Sequence, residues 1–216
     1  MDKHQTAWNE KVAKSIIEHM ARRRIEGSYA ATAAQARDEI LAMIPQEAVV
    51  SKVGSMSVVG IGLWEKLTER PGVKIIDHGR PGLAREESVA LRHQGLQADV
   101  MLASVNAITL DGRLVDLDGF GNRVAGTIFG PKKVILVVGM NKVAANLDAA
   151  MARVKHYAAP VNARRLNYKV PCAETGLCSD CNSPERLCNV WVVIDGQLAA
   201  QKGRLHVKLV GEDLGY

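Results

Sequence analysis

Apolar positions along the chain fall into a helical rhythm first and a strand–helix alternation afterwards. Trp8, Val12, Ile16, Ile17 and Met20 recur at helical spacing with charged residues between them, which predicts an amphipathic helix ending before Gly27. Thr32 and Gln35 stand at capping-box spacing ahead of Ala36, Ile40 and Ile44, with Pro45 beyond, and predict a second helix over 32–44. Then Ala48-Val49-Val50, a turn at Gly54-Ser55, a helix from Ser57 to Leu67 and an apolar run from Val73 to Asp77 give the order of a βαβ unit. A parallel sheet is implied. A helix from Ala84 to Gln94 and the strand Asp99 to Ala103, apolar on both faces as buried parallel strands are, continue the alternation.

Ile108-Thr109-Leu110 and Arg113-Leu114-Val115 flank Asp111-Gly112, the two-residue signal of a type I′ hairpin. A short helix follows Gly119-Phe120-Gly121-Asn122 and runs to Ile128. Lys133 to Val138, rich in β-branched residues, reads as a central strand. Asn146 to Ala158 is predicted helical, stopping at Pro160. After a cysteine-bearing loop, Trp191 to Ile194 and Gln197 to Ala199 flank Asp195-Gly196 as a second hairpin. Arg204 to Val210 alternates Leu205, Val207 and Leu209 with His206 and Lys208, which predicts a half-exposed strand. The expected fold is one α/β domain over 1–216, doubly wound and mostly parallel, with a cysteine-rich loop at 171–189 and a short β hairpin near its C-terminus.

Composition narrows the function. Hydrophobic residues are 47% and charged residues 24% of the 216, an ordinary globular balance that speaks against disorder or a coiled coil. The net charge of +5 is scattered, and its densest run, Arg22-Arg23-Arg24, sits at a helix end where cations complement the dipole. Aromatic residues are only 4%, too few for the stacking platforms of single-strand binders, so nucleic acid is not the expected partner. No apolar stretch suits a membrane span. The first twenty residues carry Asp2, Glu10 and Glu18 and no leader pattern, so a cytoplasmic location is expected.

The four cysteines, Cys172, Cys178, Cys181 and Cys188, form one C-x5-C-x2-C-x6-C group. In a reducing compartment such a group points to metal ligation before crosslinking. Small, polar and turn-forming residues between them let a short loop wrap a compact guest. Four sulfurs complete a tetrahedral zinc site or the four corners of a [4Fe–4S] cluster. One tight pair with two outlying cysteines is more at home around the cluster than in a zinc ribbon, which brings two tight pairs together; zinc, disulfides and free thiols remain alternatives. Full ligation by protein sulfur leaves no open position for substrate, so the site is either an electron relay or a structural clip.

A second candidate lies in the polar turns. Gly54-Ser55-Met56-Ser57 joins a strand to a helix, where main-chain N–H groups can meet a carboxylate or phosphate; a plain turn with a serine cap would use the same residues. Asp118, Gly119, Gly121, Asn122 and Arg123 gather carboxylate, glycines, amide and guanidinium at a strand-to-helix junction. Arg123 could grip a small anion in two-pronged fashion or pair with Asp118, and Asp118 is the candidate acid–base group. Asn106 would face the same crevice if it follows a strand end, or serve as a turn-forming amide. None of the six histidines shows metal-ligand pairing.

These stretches resemble the lactate-utilisation (LUD) domain family. The likeness rests on Gly54-Ser55-Met56-Ser57, on Asn106-Ala107-Ile108-Thr109 with Asp111-Gly112, on Asp118 through Ala125, and on Phe129-Gly130-Pro131-Lys132-Lys133. The segment Pro171 to Asn189 is similar to that of the cysteine-bearing branch. Val53-Gly54 stands where the family usually has paired glycines. The resemblance implies a fold similar to the sugar-phosphate isomerase and CoA-transferase group. It also implies a connection to bacterial L-lactate oxidation, with iron–sulfur and oxidoreductase proteins as partners. Three functions follow as expectations: a redox accessory carrying a cluster, a small-molecule enzyme or binder with a structural metal, or a non-catalytic assembly subunit.

Overall fold

The computed structural model describes residues 2–216. In chain order it has α1 (Lys3–Arg22), β1 (Glu26–Ala30), α2 (Ala33–Met43), β2 (Val49–Lys52), α3 (Met56–Gly60), α4 (Leu63–Thr68), β3 (Lys74–Asp77), α5 (Arg85–Gly95) and β4 (Val100–Ala103). There follow β5 (Ala107–Thr109), β6 (Leu114–Asp118), α6 (Asn122–Phe129), β7 (Lys133–Gly139), β8 (Val143–Ala144), α7 (Leu147–Arg153), α8 (Ala159–Arg165), α9 (Pro171–Thr175), β9 (Val190–Ile194) and β10 (Leu205–Val210).

Six strands make one sheet in the order β1-β10-β7-β4-β2-β3, every neighbouring pair parallel. Helices cover both faces, as the doubly wound pattern requires. β7 shows the division by alternate residues. Val134, Leu136 and Val138 join Ala13, Ile16 and Met20 of α1 on one face. Ile135 and Val137 join Ile40 of α2, Val58 of α3 and Leu63 of α4 on the other. A smaller sheet, β8-β5-β6-β9, packs over the first face, with Ala107, Val115 and Leu117 against Ala150 of α7.

Several sequence expectations need correction. The run 57–67 is two helices, because Gly62 at φ +66° breaks it. The Asp111-Gly112 turn is not type I′, since only Gly112 has a left-handed φ (+83°). Thr109 N–H donates to the Arg113 carbonyl and Gly112 N–H to the Thr109 carbonyl, which is a three-residue loop closed by a left-handed glycine. Pro160 does not stop the helix. A π-helical turn over Val154–Ala158 leads directly into α8, where the proline occupies the first turn and no N–H is needed.

The second hairpin is absent. β9 exists but pairs antiparallel with β6, and Ala199–Gln201 is a 3-10 turn. Gln197 N–H donates instead to the Arg23 carbonyl, drawing that segment to the end of α1. The final strand is interior rather than half-exposed, because β10 lies between β1 and β7. Its polar residues are accommodated there: Lys208, only 2% exposed, pairs with Glu39 of α2 at 2.6 Å, and His206 meets Ser28 Oγ at 2.8 Å.

Candidate functional site

A polar cleft of about 260 Å³ opens beyond the carboxyl ends of the parallel strands. Gly54 and Ser55 follow β2, His78 follows β3, Ser104 and Asn106 follow β4, and Lys142 follows β7. The chain leaves β2 for the face that holds Val58 and Leu63, whereas it leaves β4 for the face that holds Val105 and Ile108. Adjacent strands whose connections part to opposite faces leave a crevice between them, which is where open α/β sheets bind ligands.

Of the residues singled out from sequence, Gly54, Ser55, Asn106, Asp118, Gly119, Asn122 and Arg123 all line this cleft; Gly121 does not. Their roles differ. A methyl group added at Gly54 would meet nothing within 4 Å, so that glycine leaves open space at the rim. Ser55 caps α3 by accepting the Val58 N–H. Gly119 sits close against the cysteine loop, where a Cβ would lie 3.1 Å from the main chain of Leu187. Gly121, at φ +92°, turns the chain into α6. Asp118 accepts the N–H groups of Gly121 and Val124 and so caps the same helix.

Arg123 is largely engaged inside the protein. Its Nη1 donates to Asp116 and to the Ser104 carbonyl, and its Nη2 to Asn106 Oδ1 at 3.2 Å and the Leu117 carbonyl at 3.0 Å. Nε lies 3.7 Å from Asp118. Burial works against its charge, but Asp116 and Asp118 outweigh it and hold the guanidinium above its ordinary pKa. Asn106 is fixed in turn, its Oδ1 accepting the Leu117 N–H at 2.9 Å as well. Arg123 therefore ties β4, β6 and α6 into one wall of the cleft.

Three cleft residues carry no sequence motif. Lys142, in the 3-10 turn after β7, is 3% exposed and donates to Ser104 Oγ at 2.9 Å and the Val105 carbonyl at 3.1 Å. Burial, then the charges of Arg153 and Arg123, pull its pKa down to about 7, with Asp116 opposing. His78 is likewise lowered, by burial and by Arg92, and Asn122 lies 3.4 Å from its Nε2. Arg92 of α5 stacks its guanidinium 4.6 Å above the Phe120 ring, and its buried Nε has no hydrogen-bond partner. The signal that marks Lys142 and His78 is their position, one to three residues past the end of a parallel strand.

The four cysteines are free thiols, and all of them line a second cavity of about 280 Å³ together with Lys155, Asp180, Arg186 and Trp191. Burial and then the neighbouring thiols push Cys188 up to about 11, and Cys172 is raised for the same reasons. Arg186 braces the loop, donating to the carbonyls of Cys181 and Cys188 and to Asp180. Among the described residues, no three His, Cys, Asp or Glu side chains stand in preformed metal-ligating geometry. Leu117 lines both cavities, and Leu187, beside Cys188, lines the cleft. The two are neighbours across one apolar partition.

Comparison with known proteins gives a broad family match and distant structural matches. The sequence profile of the LUD domain matches residues 13–210. A solved structure, described as a DUF162 family protein from Deinococcus radiodurans, aligns at 13% identity and a TM-score of 0.45, covering 94% of this chain and 96% of that one. No curated protein matches the chain. No helix among the described residues is long and apolar enough to cross a membrane.

Proposed function

Because the chain belongs to the LUD domain family, we propose that it serves bacterial oxidation of L-lactate or a related small organic acid as a redox accessory in the cytoplasm. In this reading Cys172, Cys178, Cys181 and Cys188 hold a [4Fe–4S] cluster, and the neighbouring cleft takes the acid. The supporting observation is that all four thiols line one cavity, which shares Leu117 with the polar cleft. A donor set of four sulfurs suits such a cluster, whose chemistry is the transfer of single electrons.

The chain's own residues fit this use. Lys155 and Arg186, which share Asp180 as their partner, outnumber it at the cysteine cavity, and the surplus positive charge suits the net negative charge of a thiolate-bound cluster. Arg186 fixes the main chain at two of the four ligands. In the cleft, Arg92 and Arg165 offer guanidinium groups to a carboxylate, while Arg123 positions the wall rather than the ligand. Electrons would pass to iron–sulfur or oxidoreductase proteins of the same lactate-oxidising system.

Anaerobic isolation tests the reading. Brown protein with about four irons and four sulfides per chain and a reducible paramagnetic signal is expected, lost in Cys181→Ser. Colourless protein with one zinc, or with paired disulfides, overturns it. A second reading makes the cleft enzymatic and the metal a clip for residues 171–189. The buried amine of Lys142 favours it.

A further inference from the structure

Lys142 is a buried cleft group to which electron transfer gives no task. Its Nζ has two acceptors, Ser104 Oγ and the Val105 carbonyl, and among the described residues no carboxylate lies within ion-pair distance of it. Asp116, the acid whose charge it feels, is already engaged by Arg123 and by the Asn106 N–H. An ammonium carries three donors, and these two acceptors take only two of them. A neutral amine carries two, which fit the two acceptors, and keeps a lone pair for the cleft that it lines.

We propose that Lys142 is the nucleophile of the cleft and that its partners are 2-oxo acids, the amine condensing with the 2-carbonyl while the carboxylate meets Arg92 or Arg165. The inference rests on the reading that the cleft takes a small organic acid. In the reaction the Nζ lone pair forms a C–N bond to the carbonyl carbon. The carbonyl oxygen takes one proton from the amine and one from solvent and departs as water, leaving a protonated imine on Lys142. Arg92 suits the carboxylate end because its guanidinium lines the cleft and no carboxylate pairs with it among the described residues. Neutral amine is available at physiological pH. With the pKa near 7, roughly half of Lys142 is unprotonated there, against roughly one part in three thousand for a lysine at its ordinary 10.5.

The test is reductive trapping. Full-length protein is incubated at neutral pH with pyruvate and sodium borohydride, with lactate replacing pyruvate in the control, and the adduct is located by peptide mass mapping. Labelling of Lys142 at least about tenfold above any other lysine, absent with lactate, is the expected result. The label should vanish in Lys142→Met and in Lys142→Arg, the second of which keeps the cation but cannot condense. No adduct, or an adduct spread evenly over surface lysines, overturns the proposal in the wild-type protein whatever the variants do. Iron content is read separately in the same samples, so failure here and failure of the redox reading are distinguishable.

Discussion

Replacing Arg123 by methionine separates a positioning role from a ligand-gripping one. The substitution keeps much of the side-chain volume but strands Asp116, whose side chain is 2% exposed and would retain only the Asn106 N–H. Breaking a buried pair by removing one partner costs about 3–5 kcal/mol, because a buried charge is left uncompensated. The carbonyls of Ser104 and Leu117 lose a donor as well. A loss of about 4 kcal/mol is expected, which for a chain of this size lowers Tm by roughly 8–16 °C. Urea unfolding followed by tryptophan fluorescence and circular dichroism measures it. The double variant Arg123→Met, Asp116→Asn removes the stranded charge and should recover part of the loss, a coupling of about 1–3 kcal/mol. A single-variant cost under about 1 kcal/mol, or strict additivity in the cycle, would refute the claim that Arg123 holds the wall together.

Two further outcomes follow from local geometry. Gly112→Ala puts a Cβ 2.9 Å from the main-chain nitrogen of Met20 at φ +83°. It should destabilise by about 2–4 kcal/mol from left-handed strain and displacement of the hairpin from α1, read by urea midpoint; a change within about 0.5 kcal/mol would contradict the turn geometry. Lys142 gives a pH signature. Its folded pKa of about 7 lies below the ordinary 10.5, so the cost of the charged buried amine is full below 7. Between the two values the unfolded chain binds more protons than the native one, and stability should rise with pH by up to about 1.4 kcal/mol per unit. Lys142→Met should remove that slope from unfolding measured across pH 7.5–9.5; an unchanged slope would mean that the amine is not buried as described.

The parallel core was readable because β2, β4 and β7 are short β-branched or apolar runs set between helix signals, and burial on both faces produces such runs. β1 escaped because Glu26-Gly27-Ser28-Tyr29-Ala30 has no apolar pattern. As an edge strand it needs only one partner, and β10 supplies it. β10 misled for a related reason: His206 and Lys208 look solvent-facing until Ser28 and Glu39 are placed against them by folding. In the cleft, the polar turn residues were visible as a cluster in sequence. What they do was not, since Arg123 and Asp118 owe their engagement to partners on other elements. Lys142 stood alone, a single lysine whose chemistry comes from the burial around it.

The place of β10 bears on how the molecule is made. β1 attaches to the rest of the main sheet only through β10, and β10 is also one of the two neighbours of β7. During synthesis β1 emerges long before its partner and has no strand to pair with until β10 has left the ribosome. Until that moment the nascent chain exposes the open edges of β1 and β7, the kind of surface that chaperones hold.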